Sequence, residues 1–187
     1  MQINLRKANN VQTSIQDAIN SIDTVMSIEI NEFQDPIKEI QSANDTLFAN
    51  DARRMKLLQA FYHIRALVAT ANASCGISTN LAKAAFIEKR LQQLSSIASQ
   101  KPVTDMQIIK GRLDKIKARD EKEYYGGRDT VSTSIVGAEQ IAQAKAQIKD
   151  LRKQKQKIND ENLDLNFKTE IPLTEETVKV LTDEGIL

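Results

Sequence analysis

The chain has 187 residues and a formal net charge of +1, with 41% hydrophobic, 27% charged and 4% aromatic residues. This length fits one domain, and the scarcity of aromatic residues predicts a core of Ile, Leu, Val and Ala. Because the charge is nearly balanced, the chain as a whole has no electrostatic attraction to nucleic acid or to membranes. Such binding would need local segregation of charge.

The composition predicts a protein of a reducing compartment. Cys75 is the single cysteine, which excludes an internal disulfide. The first residues lack the apolar run of a secretion signal, and no stretch of roughly 18 apolar residues is present to span a bilayer. We therefore expect a cytoplasmic protein without a membrane partner, located in the host cytoplasm if the chain is phage-encoded.

The N-terminal part begins with a predicted helix and a predicted strand. Apolar residues recur every three or four positions over about 4–22, which predicts a helix. Its inward residues are expected to be Ala8, Val11, Ile15, Ala18 and Ile22. Over 25–31 the period changes to two, since Met26, Ile28 and Ile30 alternate with polar residues, and this alternation predicts a strand.

A long helix follows. Asp35 as N-cap and Pro36 at the first helical position predict its start. It is expected over about 36–73, with a break or kink at Asn50-Asp51, and Gly76 is expected to end it. Its inward residues are predicted to be Ile37, Ile40, Leu47, Met55, Leu58, Phe61, Ile64 and Val68.

The central part predicts two shorter helices and a second strand. One helix is expected over about 78–99 with Ser78 or Thr79 as its cap, and the other, opened by Pro102, over about 102–122. Their inward residues are predicted at Leu81, Ala84, Ile87, Leu91 and Leu94, and at Met106, Ile109, Leu113 and Ile116. β-Branched residues then predict a strand over 129–136.

The helix predicted over 138–165 has one apolar seam and one basic face. The seam residues, which follow each other by three or four positions or by two such steps, are Ile141, Ala144, Ile148, Leu151, Ile158 and Leu165. The basic residues between positions 145 and 157 are Lys145, Lys149, Arg152, Lys153, Lys155 and Lys157. A solvated outer face is favoured over a nucleic-acid face, because no aromatic residue in the stretch offers a stacking platform. Lys155 falls in a seam position, which coiled coils use to set register.

The chain is expected to end in a short capped helix. Residues 167–173 are predicted to be extended, and Thr174 is predicted to cap a helix that Gly185 ends. Ile186 and Leu187 would then fold back as a hydrophobic latch.

Together these elements predict a mainly α fold, with antiparallel helical hairpins in a coiled-coil-like bundle and a minor two-stranded β ribbon. The ribbon is expected to pair 25–31 with 129–136. We expect a single domain over 1–171, followed by a capping helix and tail over 172–187. Because the helical seams are narrow and aromatics are few, burial per residue is modest, which favours a homo-oligomer.

Catalytic chemistry is not expected. His63, the single histidine, is predicted to be a half-buried packing residue within a helix. A nucleophilic role for Cys75 at a helix C-terminus is not expected either. The sequence has no zinc-ligand spacing, no P-loop and no EF-hand loop. We predict a protein that is not an enzyme and that has no catalytic residues, metal or cofactor.

A cationic loop is the candidate ligand site. The two glycines that follow Tyr125 let backbone amides approach a phosphate, arginine makes bidentate contacts, and tyrosine offers a ring face to a base. The candidate binding residues are Arg119, Lys122, Tyr124, Tyr125, Arg128, Thr130 and Ser132. The alternative interpretation, that the loop is an ordinary turn leading into a strand and binds no ligand, stays open.

Three stretches in the C-terminal part of the chain are arranged in a recognisable order: Arg128-Asp-Thr-Val-Ser-Thr-Ser-Ile-Val-Gly, then Ala138-Glu-Gln-Ile, and further on Asn166-Phe-Lys-Thr-Glu-Ile171. This part of the chain resembles the C-terminal half of the septicolysin-like family. Those are small bacterial proteins in which a Ser/Thr/Val stretch precedes a long charged helix. The resemblance implies a helical, oligomeric fold without a settled activity, and it carries over no functional residue. The chain also resembles phage-encoded proteins.

Two functions follow as hypotheses. In the first, the protein is a structural or interaction module that assembles through the seams of 4–22, 36–73 and 138–165. In the second, the oligomer sequesters a small anionic or nucleotide-like ligand at the cationic loop, as a phage protein that traps a host defence signal would do. Nucleic acid is not an expected partner in either.

Overall fold

The computed structural model describes residues 1–118 and 130–187, and within these ranges it contains six helices and two short strands. In chain order the elements are β1 (Gln2–Asn4), α1 (Leu5–Ser21), α2 (Pro36–Ser74), α3 (Ile77–Ala98), α4 (Met106–Lys117), α5 (Ala138–Lys168), β2 (Glu170–Pro172) and α6 (Glu175–Asp183). The predicted mainly α fold with a minor two-stranded ribbon is confirmed. Among the described helices, none is long and apolar enough to cross a membrane.

The chain divides into two compact units. The first contains Met1–Asn80 and Asp160–Leu187, and the second contains Leu81–Asn159. The predicted single domain over 1–171, with 172–187 as its cap and tail, stays a prediction.

The ribbon joins the two ends of the chain in the first unit. β1 and β2 pair antiparallel, with Ile3 opposite Ile171, and both isoleucines are buried. Two further backbone hydrogen bonds extend the pairing, from Leu5 N to the carbonyl of Thr169 (3.0 Å) and from Leu173 N to the carbonyl of Met1 (2.9 Å). The N-terminus and the segment before α6 are therefore held together by main-chain bonds.

The predicted positions of the ribbon were wrong. Residues 25–31 and 130–136 contain no strand, and residue 129 lies outside the described residues. In 25–31 the alternating side chains do not mark a buried face, because Met26, Ile28 and Ile30 are all exposed. An alternation of apolar and polar residues identifies a strand only when its apolar face is buried. In 25–31 every residue is exposed, so neither face is buried.

The core of the first unit lies between α1 and the C-terminal half of α2, and it includes the ribbon and α6. Its buried apolar residues are Ile3, Leu5, Ala8, Val11, Ile15, Ile19, Ile22, Leu57, Ile64, Val68, Ala71, Ile77, Ile171, Leu173 and Leu181. The predicted latch is confirmed, since Ile186 and Leu187 pack against this cluster. The predicted seam of the first helix is also buried, apart from Ala18, which is partly exposed.

The predicted N-caps of α2 and α6 are confirmed. The Asp35 carboxylate accepts a hydrogen bond from the backbone N–H of Ile37, with Pro36 in the first turn of α2, and Thr174 accepts from Thr177 N. Gly76 has φ +92°, a left-handed conformation that ends α2 and that other residues rarely adopt.

Helix α2 is continuous, so the break predicted at Asn50-Asp51 was wrong. The Asn50 side chain does not compete with the helix for its own backbone. Its Nδ2 instead donates to the carbonyl of Asp23 at 2.8 Å, which holds the chain after α1 against the middle of α2. A side chain that is engaged elsewhere cannot favour the alternative turn that makes Asn a helix breaker.

Among the described residues of the second unit, the buried apolar residues are Ile87 and Leu94 on α3 and Ile141 and Ala144 on α5. Helix α4 contains no buried residue. Some predicted details were wrong, because Leu81 is 56% exposed and α3 begins at Ile77, ahead of its expected cap. Helix α4 begins at Met106 with Asp105 as its N-cap, four residues after the expected start, and α5 continues past its expected end to Lys168.

Leu181 provides a test of the first unit's core. Its side chain is fully buried, whereas Leu163 on α5 is 60% exposed. Leu181→Ala should lower the free energy of unfolding by about 2–5 kcal/mol, because it removes buried methyl groups and leaves a cavity. Leu163→Ala, the matched control, should change it by less than ~0.5 kcal/mol. Urea unfolding followed by circular dichroism would measure both, and equal effects would contradict this core.

Candidate functional site

Five of the predicted ligand-binding residues lie outside the described residues, namely Arg119, Lys122, Tyr124, Tyr125 and Arg128. The other two, Thr130 and Ser132, are described and exposed. The structure therefore gives no geometry for the cationic loop as a whole, and its role stays a prediction.

The segment after the loop is held against the chain that precedes α4. Val103 N donates to the carbonyl of Val136 at 2.8 Å, and Thr104 N donates to Oγ1 of Thr133 at 3.0 Å. The Ser/Thr residues here satisfy local backbone groups, as is usual for such residues in turns. The hydroxyl of Thr133 is thus engaged within the chain.

The basic face of α5 is exposed, as expected for a solvated face. The exception is Lys155, which occupies the seam and forms an ion pair with Glu88 of α3. The Lys155 ammonium lowers the pKa of the Glu88 carboxyl, mainly by donating a hydrogen bond to it. This pair links one α3 residue to one α5 residue, and solvent weakens it because both side chains are partly exposed. The register-setting role of a lysine in a seam stays a prediction.

A cavity of about 690 Å³ opens between α2 and α6 in the first unit. Its lining includes His63, whose Nε2 is buried and has no hydrogen-bond partner among the described residues. Basic and acidic side chains both line the cavity, with Lys56 and Lys179 facing it together with Glu176 and Asp183. This mixture gives the cavity two basic and two acidic side chains, so its charge favours neither an anionic nor a cationic ligand.

His63 has intermediate exposure, which confirms its prediction as a half-buried residue. Among the described residues, no group of three or more His, Cys, Asp or Glu side chains is placed to hold a metal ion.

The surface that stands out is an apolar stripe along α2. We call it the outer stripe, and its members are Ile37, Ile40, Phe48, Met55, Leu58 and Tyr62. Consecutive stripe positions, with Asn44 and Asp51 filling the two gaps, are three or four residues apart, so all lie on one side of the helix. All eight side chains are exposed.

The outer stripe faces away from the core. The buried face of α2 consists of Leu57, Ala60, Ile64, Val68 and Ala71. Ile64 follows Met55 by nine residues, which is about two and a half turns at 3.6 residues per turn and therefore the opposite side of the helix. Helix α2 thus has two apolar faces, and only one of them is covered within the described chain.

The exposure of the outer stripe is large. Ile37 is 76% exposed, Phe48 65% and Tyr62 61%. Beside it, residues Val25–Ile28 lie next to Ile40 and Leu47 across a cavity of about 250 Å³, and Met26 is 86% exposed. The apolar surface therefore extends from the stripe onto the neighbouring segment.

The sequence predictions placed this surface on the wrong side. Ile37, Ile40, Met55 and Leu58 were predicted to face inward, and all four are exposed. The signal that distinguishes the two faces is the pair of neighbouring apolar residues Leu57-Leu58, which cannot both belong to one narrow seam. Neighbouring residues point about 100° apart on a helix.

No family model, curated protein or solved structure matches this chain. The resemblance to the septicolysin-like family stays a prediction.

One ion pair joins α2 to α6 and predicts a pH dependence. Arg53 Nε and Nη2 donate to the two carboxylate oxygens of Glu184 at 2.7 and 2.6 Å. The Glu184 side chain is only 12% exposed, and the Arg53 guanidinium lowers its pKa, first through the hydrogen bonds. A lowered pKa in the folded state stabilises the fold above the unfolded pKa of about 4.3, and this stabilisation is lost as the pH falls through the folded value.

Glu184→Gln should therefore cost about 1 kcal/mol at pH 7, and the difference from wild type should shrink below about pH 4. Glu161→Gln, at an exposed position on α5, is the control and should cost less than ~0.5 kcal/mol at either pH. Urea unfolding at pH 7 and at pH 3.5 would measure both. A difference for Glu184→Gln that stays constant with pH would refute the pair's role.

Proposed function

We propose that the protein is a non-enzymatic interaction module that assembles into a homo-oligomer. The observation that supports this function best is the outer stripe of α2, a row of large apolar side chains that stay between 38% and 76% exposed in the described chain. A helix with apolar residues on two opposite sides is usually buried on both of them. Exposed apolar patches of this kind mark contact sites for other proteins.

The size of the surface fits part of a specific contact. Fully burying one large apolar side chain removes on the order of 100 Å² of apolar surface from water. The six stripe residues and Met26 beside them are already partly covered, so at their present exposure they would together bury roughly 430 Å² of apolar surface. This is about half of the ~800 Å² per partner of a standard interface, so residues beside the stripe would have to supply the rest.

The surface proposed for assembly differs from the helical seams that the sequence analysis named. The seam of α1 and the inner face of α2 are buried within the first unit, so neither can contact a second chain. In the second unit, the apolar residues of α4 are not buried either, and Met106 is 65% exposed. Assembly therefore relies on surfaces other than the seam of 4–22.

Sequestration of a small anionic or nucleotide-like ligand at the cationic loop is the second candidate function. It depends on residues 119–128 outside the described ranges, and it stays a prediction. A cytoplasmic location and a phage origin belong to the same set of proposals.

The direct test of the proposed function is the molar mass in solution. The subunit mass is 21.0 kDa. Light scattering coupled to size-exclusion chromatography, at a protein concentration of tens of micromolar, should give a molar mass of two or more whole subunits. Raising the salt to about 1 M should leave the oligomer intact, because screening weakens charge pairs and not apolar contacts. A monomer at this concentration would rule out the proposed function.

A further inference from the structure

We propose that the outer stripe of α2 packs against the outer stripe of a second copy of this chain, so that the two stripes overlap along their full length. This inference rests on the proposed function and identifies the partner and the contact surface. The occupant is a second copy, for reasons of length, pattern and charge.

The stripe is long and continuous enough to form such a contact. From Ile37 to Tyr62 it covers 25 residue steps, about 38 Å at 1.5 Å per residue. Within this length α2 has no break, and Asn50 is fixed to the chain after α1. A continuous, anchored helix presents its side chains in fixed positions, which lowers the entropic cost of association.

The pattern of the stripe is complementary to itself. Both ends are apolar, with Ile37 and Ile40 at one end and Leu58 and Tyr62 at the other. A second stripe therefore places apolar side chains opposite apolar ones at both ends, whichever direction it runs. Contacts in which the same patch occurs on both partners are the usual basis of two-fold symmetric dimers.

The charges near the stripe also suit a second copy. Residues 36–62 contain four basic and three acidic side chains, namely Lys38, Arg53, Arg54 and Lys56 with Glu39, Asp45 and Asp51. This balance offers no selective attraction to a strongly acidic or strongly basic partner. The chain's net charge of +1 means that two copies hardly repel each other.

Full overlap places the middle of one stripe on the middle of the other. The midpoint lies between Ala49 and Asn50, so Phe48 of each copy comes within about one helical turn of Phe48 of the other, in either direction of pairing. The same holds for the two Asp51 carboxylates. Phe48 should therefore stabilise the contact, whereas the two like charges at Asp51 should weaken it.

These expectations are tested by variants with opposite effects. Phe48→Asp should weaken the dimer at least 30-fold, as for a residue at the centre of an interface, with unchanged helicity and thermal stability of the subunit. Asp51→Asn should tighten it about 5-fold by removing the like-charge pair. Phe86→Asp, at a 69% exposed position on α3, is the matched control and should leave association unchanged. Sedimentation equilibrium would measure all three.

A mixing experiment identifies the partner surface. Phe48→Asp and Phe48→Lys should each be monomeric alone, and an equimolar mixture should restore a heterodimer, because the opposite charges meet across the contact. Failure to restore it would overturn stripe-to-stripe packing. If the wild type is an oligomer that Phe48→Asp does not disrupt, this inference fails and the proposed function stands. If the wild type is a monomer, the proposed function fails as well.

Discussion

The packing of α1 on the inner face of α2 is the contact on which the rest of the first unit depends. Ile15 of α1 and Ile64 of α2 are both fully buried in it. The ribbon and α6 add to the same cluster and do not form a core of their own. Because aromatic residues make up only 4% of the chain, this core consists of aliphatic side chains, and each must be well covered to offset the loss of chain entropy.

Helix α2 is long enough that some of its apolar residues stabilise the fold while others remain exposed. One face of its C-terminal half is buried by α1 and α6, while its first five turns contribute no residue to the core. Apolar residues in those turns do not stabilise the described fold, so they need another explanation. Phe48 and Ile37 would lower solubility if they stayed exposed, and the proposed burial against a second copy would account for their presence.

Local signals in the sequence predicted the caps of α2 and α6 and the end of α2, whereas they missed the starts of α3 and α4 and the pairing of residues far apart in the chain. Asp35, Thr174 and Gly76 act through neighbouring backbone atoms, so their roles can be read from a few residues. The pairing of Ile3 with Ile171 joins residues near the two ends of the chain, and no local sequence pattern predicts such a pairing. Burial of one face of α2 and exposure of the other depend on which residues a neighbouring element covers, and periodicity alone does not specify that. The candidate ligand residues at the cationic loop stay a prediction.

Hydroxyl-radical footprinting of the wild-type protein at low and high concentration tests the central claim most directly. Phe48, Met55 and Tyr62 are exposed in the single chain, and oxidation of such side chains depends on solvent access. The account predicts that their oxidation falls as the concentration rises through the association range, while that of Phe86 stays constant. Equal oxidation of Phe48 and Met55 at both concentrations, in a protein shown to be an oligomer, would contradict assembly through the outer stripe.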